Sequence, residues 1–130
     1  MEPFGPVIYA YTASNALDDG LYVDGQDPEL GLADVSRQHY AVPLYLTQGL
    51  ADYIRHAVEH CGRDWPGVWH DILTISRNRY KAPDPMVREF TVLIADTPTT
   101  HTAVDVRAVC QPFDTADHKA VIVFCLPEED

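Results

Sequence analysis

The stretch VIYAYTASNALDDGLYVDG, Val7–Gly25, decides how this chain folds. Val7–Tyr11 is a run of β-branched and aromatic residues, the composition of a strand. Thr12 is placed to cap a brief helix over Ala13–Asp19, and Gly20 supplies the left-handed residue that commonly ends one. Leu21–Val23 then predicts a second strand, closed by Asp24-Gly25. Two strands joined by a short helix cannot bury their own apolar face. The rest of the chain has to cover them.

Working outward, the covering layer comes from the middle of the sequence. Thr47 opens the clearest helix, in which Leu50, Tyr53, Ile54, Ala57, Val58 and Cys61 form one apolar stripe at i, i+3, i+4, i+7, i+8 and i+11. Gly62 ends it. Asp64 caps a second helix with Trp65-Pro66 at its start, apolar positions at Val68 or Trp69, Ile72, Leu73 and Ser76, and Tyr80 a turn beyond. Arg77, Asn78, Arg79 and Lys81 crowd its end, where cations complement the helix dipole, and Ala82-Pro83-Asp84-Pro85 stops it. The short link between the two helices predicts an antiparallel pair. Trp65 and Trp69, four apart, share a face directed at that pair's core. Upstream, Asp27 is expected to cap a short helix with Pro28 as its first residue, although Gly31 interrupts it and its apolar face is weak. Tyr40–Leu46 is β-rich but contains Pro43, which predicts an edge strand or an extended linker.

The last third changes period. Glu89–Ala95 reads as a strand, Asp96–Thr100 as a turn, and His101–Cys110 alternates, with Ala103, Asp105, Arg107 and Val109 opposite Thr102, Val104, Val106 and Ala108. After a turn over Gln111–Asp117, Lys119–Leu126 (KAVIVFCL) is almost wholly apolar, which predicts a central strand covered on both faces. The expected architecture is one α+β domain over residues 1–130. Its antiparallel sheet has a C-terminal three-strand meander joined by the N-terminal strands, covered by an antiparallel helix pair.

Bulk properties narrow the function classes. The 130 residues fit one core, and 46% apolar with 22% charged residues is ordinary for a globular chain. No apolar run approaches the roughly 20 residues that cross a bilayer, and MEPFGPVIYAY lacks the basic start and apolar core of a signal peptide. Cys61, Cys110 and Cys125 are odd in number, widely spaced and in apolar contexts, as reduced thiols are. A cytoplasmic location is expected, with no membrane association. Nine Lys and Arg against twenty Asp and Glu give a net charge of -11. Direct nucleic-acid binding, which needs cations to neutralise phosphates, is therefore disfavoured. The charge attracts basic surfaces instead, although it serves solubility in any case.

Catalytic signatures are absent from the sequence. There is no G-x-S-x-G elbow, no P-loop and no G-x-G-x-x-G, and no cysteine has an evident basic neighbour. His56 and His60 stand at i, i+4 on the polar face of the best helix, with His70 and Asp71 on the next, a spacing able to hold zinc. HAVEH nevertheless lacks the glutamate base of H-E-x-x-H, and a solvated helix face has the same appearance. Carboxylates cluster at Asp18/Asp19/Asp24, at Asp27/Glu29/Asp34 and at Glu128/Glu129/Asp130. They read either as solvated surface or as an acidic rim that docks on Lys and Arg of a partner. Tyr9, Tyr11, Tyr22 and Trp65 are candidate anchors beside that rim, and equally candidate core.

The order I-Y-x-Y-T (Ile8–Thr12) followed by A-x-x-D-G-x-x-V-D (Ala16–Asp24) resembles a family of small bacterial proteins that is named only as a domain of unknown function. That family occurs on plasmids, conjugative elements and phages. Further matching pieces are Tyr40-Ala41-Val42-Pro43 leading to Thr47, the run Trp69–Leu73, and the closing stretch Val106–Asp130. The likeness spans nearly the whole chain in short motifs. It departs at Gly25–Gln38 and at Gln111–Asp117, where QPFDTAD replaces a glycine-rich turn. The resemblance implies genomic company and brings no catalytic residues and no cofactor.

Together these features predict a non-enzymatic, acidic accessory protein of a mobile element. It would bind a basic, nucleic-acid-handling host or defence protein, for instance as an inhibitor of a nuclease or CRISPR effector. Tyr9, Tyr11, Asp18, Asp19, Tyr22, Asp24 and Trp65 are the expected interface. Two alternatives are a small metal-dependent hydrolase or ligand-binding enzyme using His56, His60 and His70, and a homodimeric module pairing through an exposed Tyr40–Leu46 edge.

Overall fold

The computed structural model describes residues 12–77, 86–114, 116 and 118–129. The expected strand Val7–Tyr11, and with it Tyr9 and Tyr11, lies outside the described residues, as do Tyr80, Arg79 and Lys81. The meander forms as its sequence period requires. β3 (Val87–Thr97), β4 (Thr100–Pro112) and β5 (Ala120–Cys125) are consecutive antiparallel neighbours. β1 (Tyr22–Asp24) and β2 (Leu44–Thr47) extend the sheet beyond β5, giving the order β1-β2-β5-β4-β3. β2 runs parallel to β5, and every other pair is antiparallel. The fold is α+β.

Period-two alternation assigns the two faces. Phe90, Val92 and Ile94 of β3, Val104, Val106 and Ala108 of β4, Phe124 of β5 and Leu44 and Leu46 of β2 point into the main core. Over this face lie α2 (Leu32–His39), α3 (Gln48–His60) and α4 (Trp65–Ser76). Phe124 is the hub. Its ring meets Trp69, Phe90 and Tyr40 edge-on at centroid distances of 5.1, 6.4 and 6.3 Å. On the other face α1 (Ala13–Asp18) seats Ala13 against Tyr45, Val121 and Val123. β5 is therefore covered on both sides, as its unbroken apolar run demands.

Four local expectations are corrected. Asp27 caps a tight turn and no helix: its Oδ1 accepts from the Glu29 amide at 2.8 Å, and α2 starts only at Leu32, after Gly31 with φ 75°. A side chain at Gly31 would also stand 3.0 Å from Pro66 Cγ. Tyr40–Leu46 is no sheet edge, because β2 is bonded to β1 on one side and β5 on the other. Pro43 precedes the strand and contributes only its carbonyl, which accepts from the Ile122 amide at 3.0 Å. The dimer edge expected there does not exist. Tyr53 leaves the apolar stripe and is 40% exposed, since α3 turns Ala51 inward beside Leu50, Ile54 and Ala57. The first short strand is displaced by one residue, leaving Leu21 outside it at 50% exposure.

The helix caps follow the sequence. Thr12 and Asn15 form a reciprocal capping box at α1, Thr47 accepts from the Leu50 amide at α3, and Asp64 accepts from the Gly67 amide at α4. Glu129 is exposed, yet its carboxylate is engaged by the start of α3. Its Oε1 accepts from Thr47 Oγ1 at 2.6 Å and from the Leu126 amide at 2.9 Å, which sets a carboxylate at the positive end of α3. Among the described residues no helix is long and apolar enough to cross a membrane.

Candidate functional site

The acidic rim is built by α1 and the turn after it. Gly20, at φ 75°, reverses the chain so that the Leu21 amide donates to Ala16 O at 2.9 Å. The turn is then fixed to the start of α3, where the Gln48 amide donates to Leu21 O at 3.0 Å and Gln48 Nε2 to Gly20 O at 3.2 Å. Asp18 and Asp19 are exposed at the end of α1, whose last turn has no basic residue. Two carboxylates therefore stand at the negative end of a helix dipole, which does not favour them. Leu21 lies between them and β1 as an exposed apolar residue.

Among the described residues, the other expected members of this interface, Tyr22, Asp24 and Trp65, belong to the architecture. Tyr22 is half-buried and stacked on Tyr45 at 6.4 Å, and Tyr45 is stacked on Phe113 at 6.0 Å. Asp24 is turned into the chain, its Oδ1 accepting from the Gln26 amide at 2.9 Å and from Gln26 Nε2 at 2.6 Å. Trp65 is half-buried against the main core, with the Arg55 guanidinium 5.9 Å from its ring centroid. Asp18 and Asp19 are thus the candidate residues the structure brings together, and Leu21 is the one sequence reasoning missed. The signal for it was weak, because an apolar residue after a helix-ending glycine reads equally well as the start of a strand.

The six histidines sort differently from their spacing. His56 and His60 share the outer face of α3 with rings 4.9 Å apart, and His56 Nε2 lies 2.8 Å from Asp96 O. A carbonyl only accepts, so Nε2 carries the hydrogen and ties α3 to the β3–β4 turn. His70 does not join them. Its Nδ1 is 2.9 Å from Nε2 of His39, the last residue of α2, while His39 Nδ1 is 3.2 Å from Arg77 NH1. A guanidinium only donates, which orders the chain: Arg77 donates to His39 Nδ1, and His39 Nε2–H donates to His70 Nδ1. Burial, then His70 and Arg77, hold the His39 imidazole below the usual histidine value. The expected zinc set of His56, His60 and His70 is therefore split between two places. Among the described residues no group of three or more His, Cys, Asp or Glu is arranged to hold a metal ion. His39 had no sequence signal, since nothing in the spacing links it to His70.

A groove of about 460 Å³ opens between the α3–α4 turn, the first half of α4 and strands β3 and β4. Arg63, Asp64, His70, Asp71 and His101 supply its polar wall, and Leu93, 64% exposed, its apolar one. No cysteine lines it. Cys61 and Cys125 are buried free thiols, and Cys110 is half-buried. The groove offers hydrogen bonds of both signs, and no serine, threonine or cysteine lines it. Comparison of the chain with protein-family models, curated proteins and solved structures finds no match.

Proposed function

We propose that this chain is a non-enzymatic accessory protein that acts by docking on a basic, nucleic-acid-handling protein. The resemblance noted above implies the company of mobile-element genes, where an inhibitor of a defence nuclease or CRISPR effector would be the concrete form of this role. The observation that carries the reading is the surface at the end of α1. There an exposed leucine, Leu21, is rimmed by the exposed carboxylates of Asp18 and Asp19 in a chain of net charge -11. An apolar contact with a charged rim is the ordinary anatomy of a protein interface, and the charge speeds encounter with a cationic partner. Arg37, Arg55 and Arg107 are paired with Asp34, Asp52 and Glu89, and Arg88 donates to Ser76 O.

The test is retention of bacterial lysate proteins on the immobilised chain at low salt, compared with a D18N/D19N/L21S variant. The expected result is a basic protein that elutes as salt rises, is displaced by duplex DNA, and is not held by the variant. Retention that ignores ionic strength, or that survives the triple substitution, would refute the electrostatic interface.

A further inference from the structure

Apart from any partner, the pairing of His39 with His70 brings two imidazole nitrogens close enough to share one metal ion. The two rings come from different helices, their centroids 4.8 Å apart and their planes tilted by 56°. Nε2 of His39 and Nδ1 of His70 lie 2.9 Å apart. Imidazole nitrogens bind metals at about 2.0–2.1 Å, so two such bonds from nitrogens this far apart meet at about 90°. That is the cis angle of an octahedron or a square plane, narrower than the roughly 109° of a tetrahedral zinc site.

We propose that His39 and His70 form a two-histidine site for a divalent transition ion of the Ni2+ or Cu2+ type, fastening the end of α2 to α4. His70 Nδ1 already presents a lone pair. His39 presents one when its hydrogen passes through solvent from Nε2 to Nδ1, so both rings stay neutral and the ion exchanges two waters for two nitrogens. Arg77 then faces an N–H in place of a lone pair and has to swing aside, which its exposed position permits. Water fills the remaining coordination positions. The chain's net charge of -11 favours a cation at this surface despite Arg77. Neutral imidazole selects Ni2+ and Cu2+ over Mg2+ and Ca2+, which prefer oxygen donors.

The test is calorimetric titration of the full chain with Ni2+ at pH 7.5 in millimolar Mg2+, supported by thermal unfolding. One Ni2+ per chain is expected, with His39→Ala and His70→Ala each weakening it by at least about tenfold. The double variant H56A/H60A keeps the wild-type affinity, and Arg77→Gln binds more tightly. Ni2+ raises the melting temperature of the wild type and of Arg77→Gln, whereas His39→Ala, matched to wild type without metal, does not respond. Absence of binding overturns the proposal. So does displacement by Mg2+, or binding that survives His39→Ala and disappears in H56A/H60A.

Discussion

Ser36 shows what a single buried hydroxyl contributes. Its Oγ donates to Gly25 O at 2.6 Å and accepts from Trp69 Nε1 at 2.9 Å, and the residue is 3% exposed. It satisfies the tryptophan of α4 and the backbone of the β1–β2 link together. Gly25 is confined as well: a Cβ there would lie 2.5 Å from Leu44 O. Replacing Ser36 by alanine leaves both Trp69 N–H and Gly25 O without this partner, at a cost of about 1–3 kcal/mol. Urea unfolding should show a lower midpoint at unchanged slope. A loss under about 0.5 kcal/mol, the range of an ordinary surface change, would mean another group takes over. The sequence offers α2 only a weak face, and packing against Trp69 turns Ser36 inward.

At the level of elements, the contact of α2 with α4 depends on protonation. The chain from Arg77 through His39 to His70 needs both imidazoles neutral, because a proton on either acceptor nitrogen turns an acceptor into a donor. His39 is lowered in the folded state from its usual 6.5. Above that value both folded and unfolded chains hold it neutral, and the stabilisation is fully present. As pH falls below it, the unfolded chain takes up a proton that the folded chain resists, so stability is lost until the lowered folded value is passed. The urea midpoint of the wild type should therefore fall between pH 7.5 and pH 5 by more than that of His39→Gln. Equal slopes would show that the contact does not sense pH. The same scale explains β2, where a proline suggested an edge. Pro43 stands one residue outside the strand, so the ladder never needs the hydrogen it lacks.

For the whole molecule, charge is the governing quantity. The exposed pairs Arg37–Asp34, Arg55–Asp52 and Arg107–Glu89 are each worth little in water, while net charge of -11 repels itself across the folded surface. Raising ionic strength from about 0.01 M to about 0.15 M shortens the screening length from about 30 to about 8 Å. The melting temperature should rise over that interval, as screening relieves the repulsion. A fall would show that attractive pairs dominate. The same screening weakens the proposed docking, so stability and partner affinity should move in opposite directions with salt.

Local chemistry was enough to read the elements. Thr12, Thr47 and Asp64 mark helix starts, Gly20 and Gly62 mark ends, and the alternation of His101–Cys110 and the apolar run of β5 set the meander, its buried face and its centre. These signals are legible because a cap, a positive φ or a period is carried by residues close in sequence. What lies beside what was decided only by the tertiary structure. The parallel seating of β2 against β5 and the hydrogen bond from Thr47 to Glu129 join residues far apart in the chain. The same holds for the pairing of His39 with His70. No sequence period spans such distances, so only the packing of helices on the sheet could specify them.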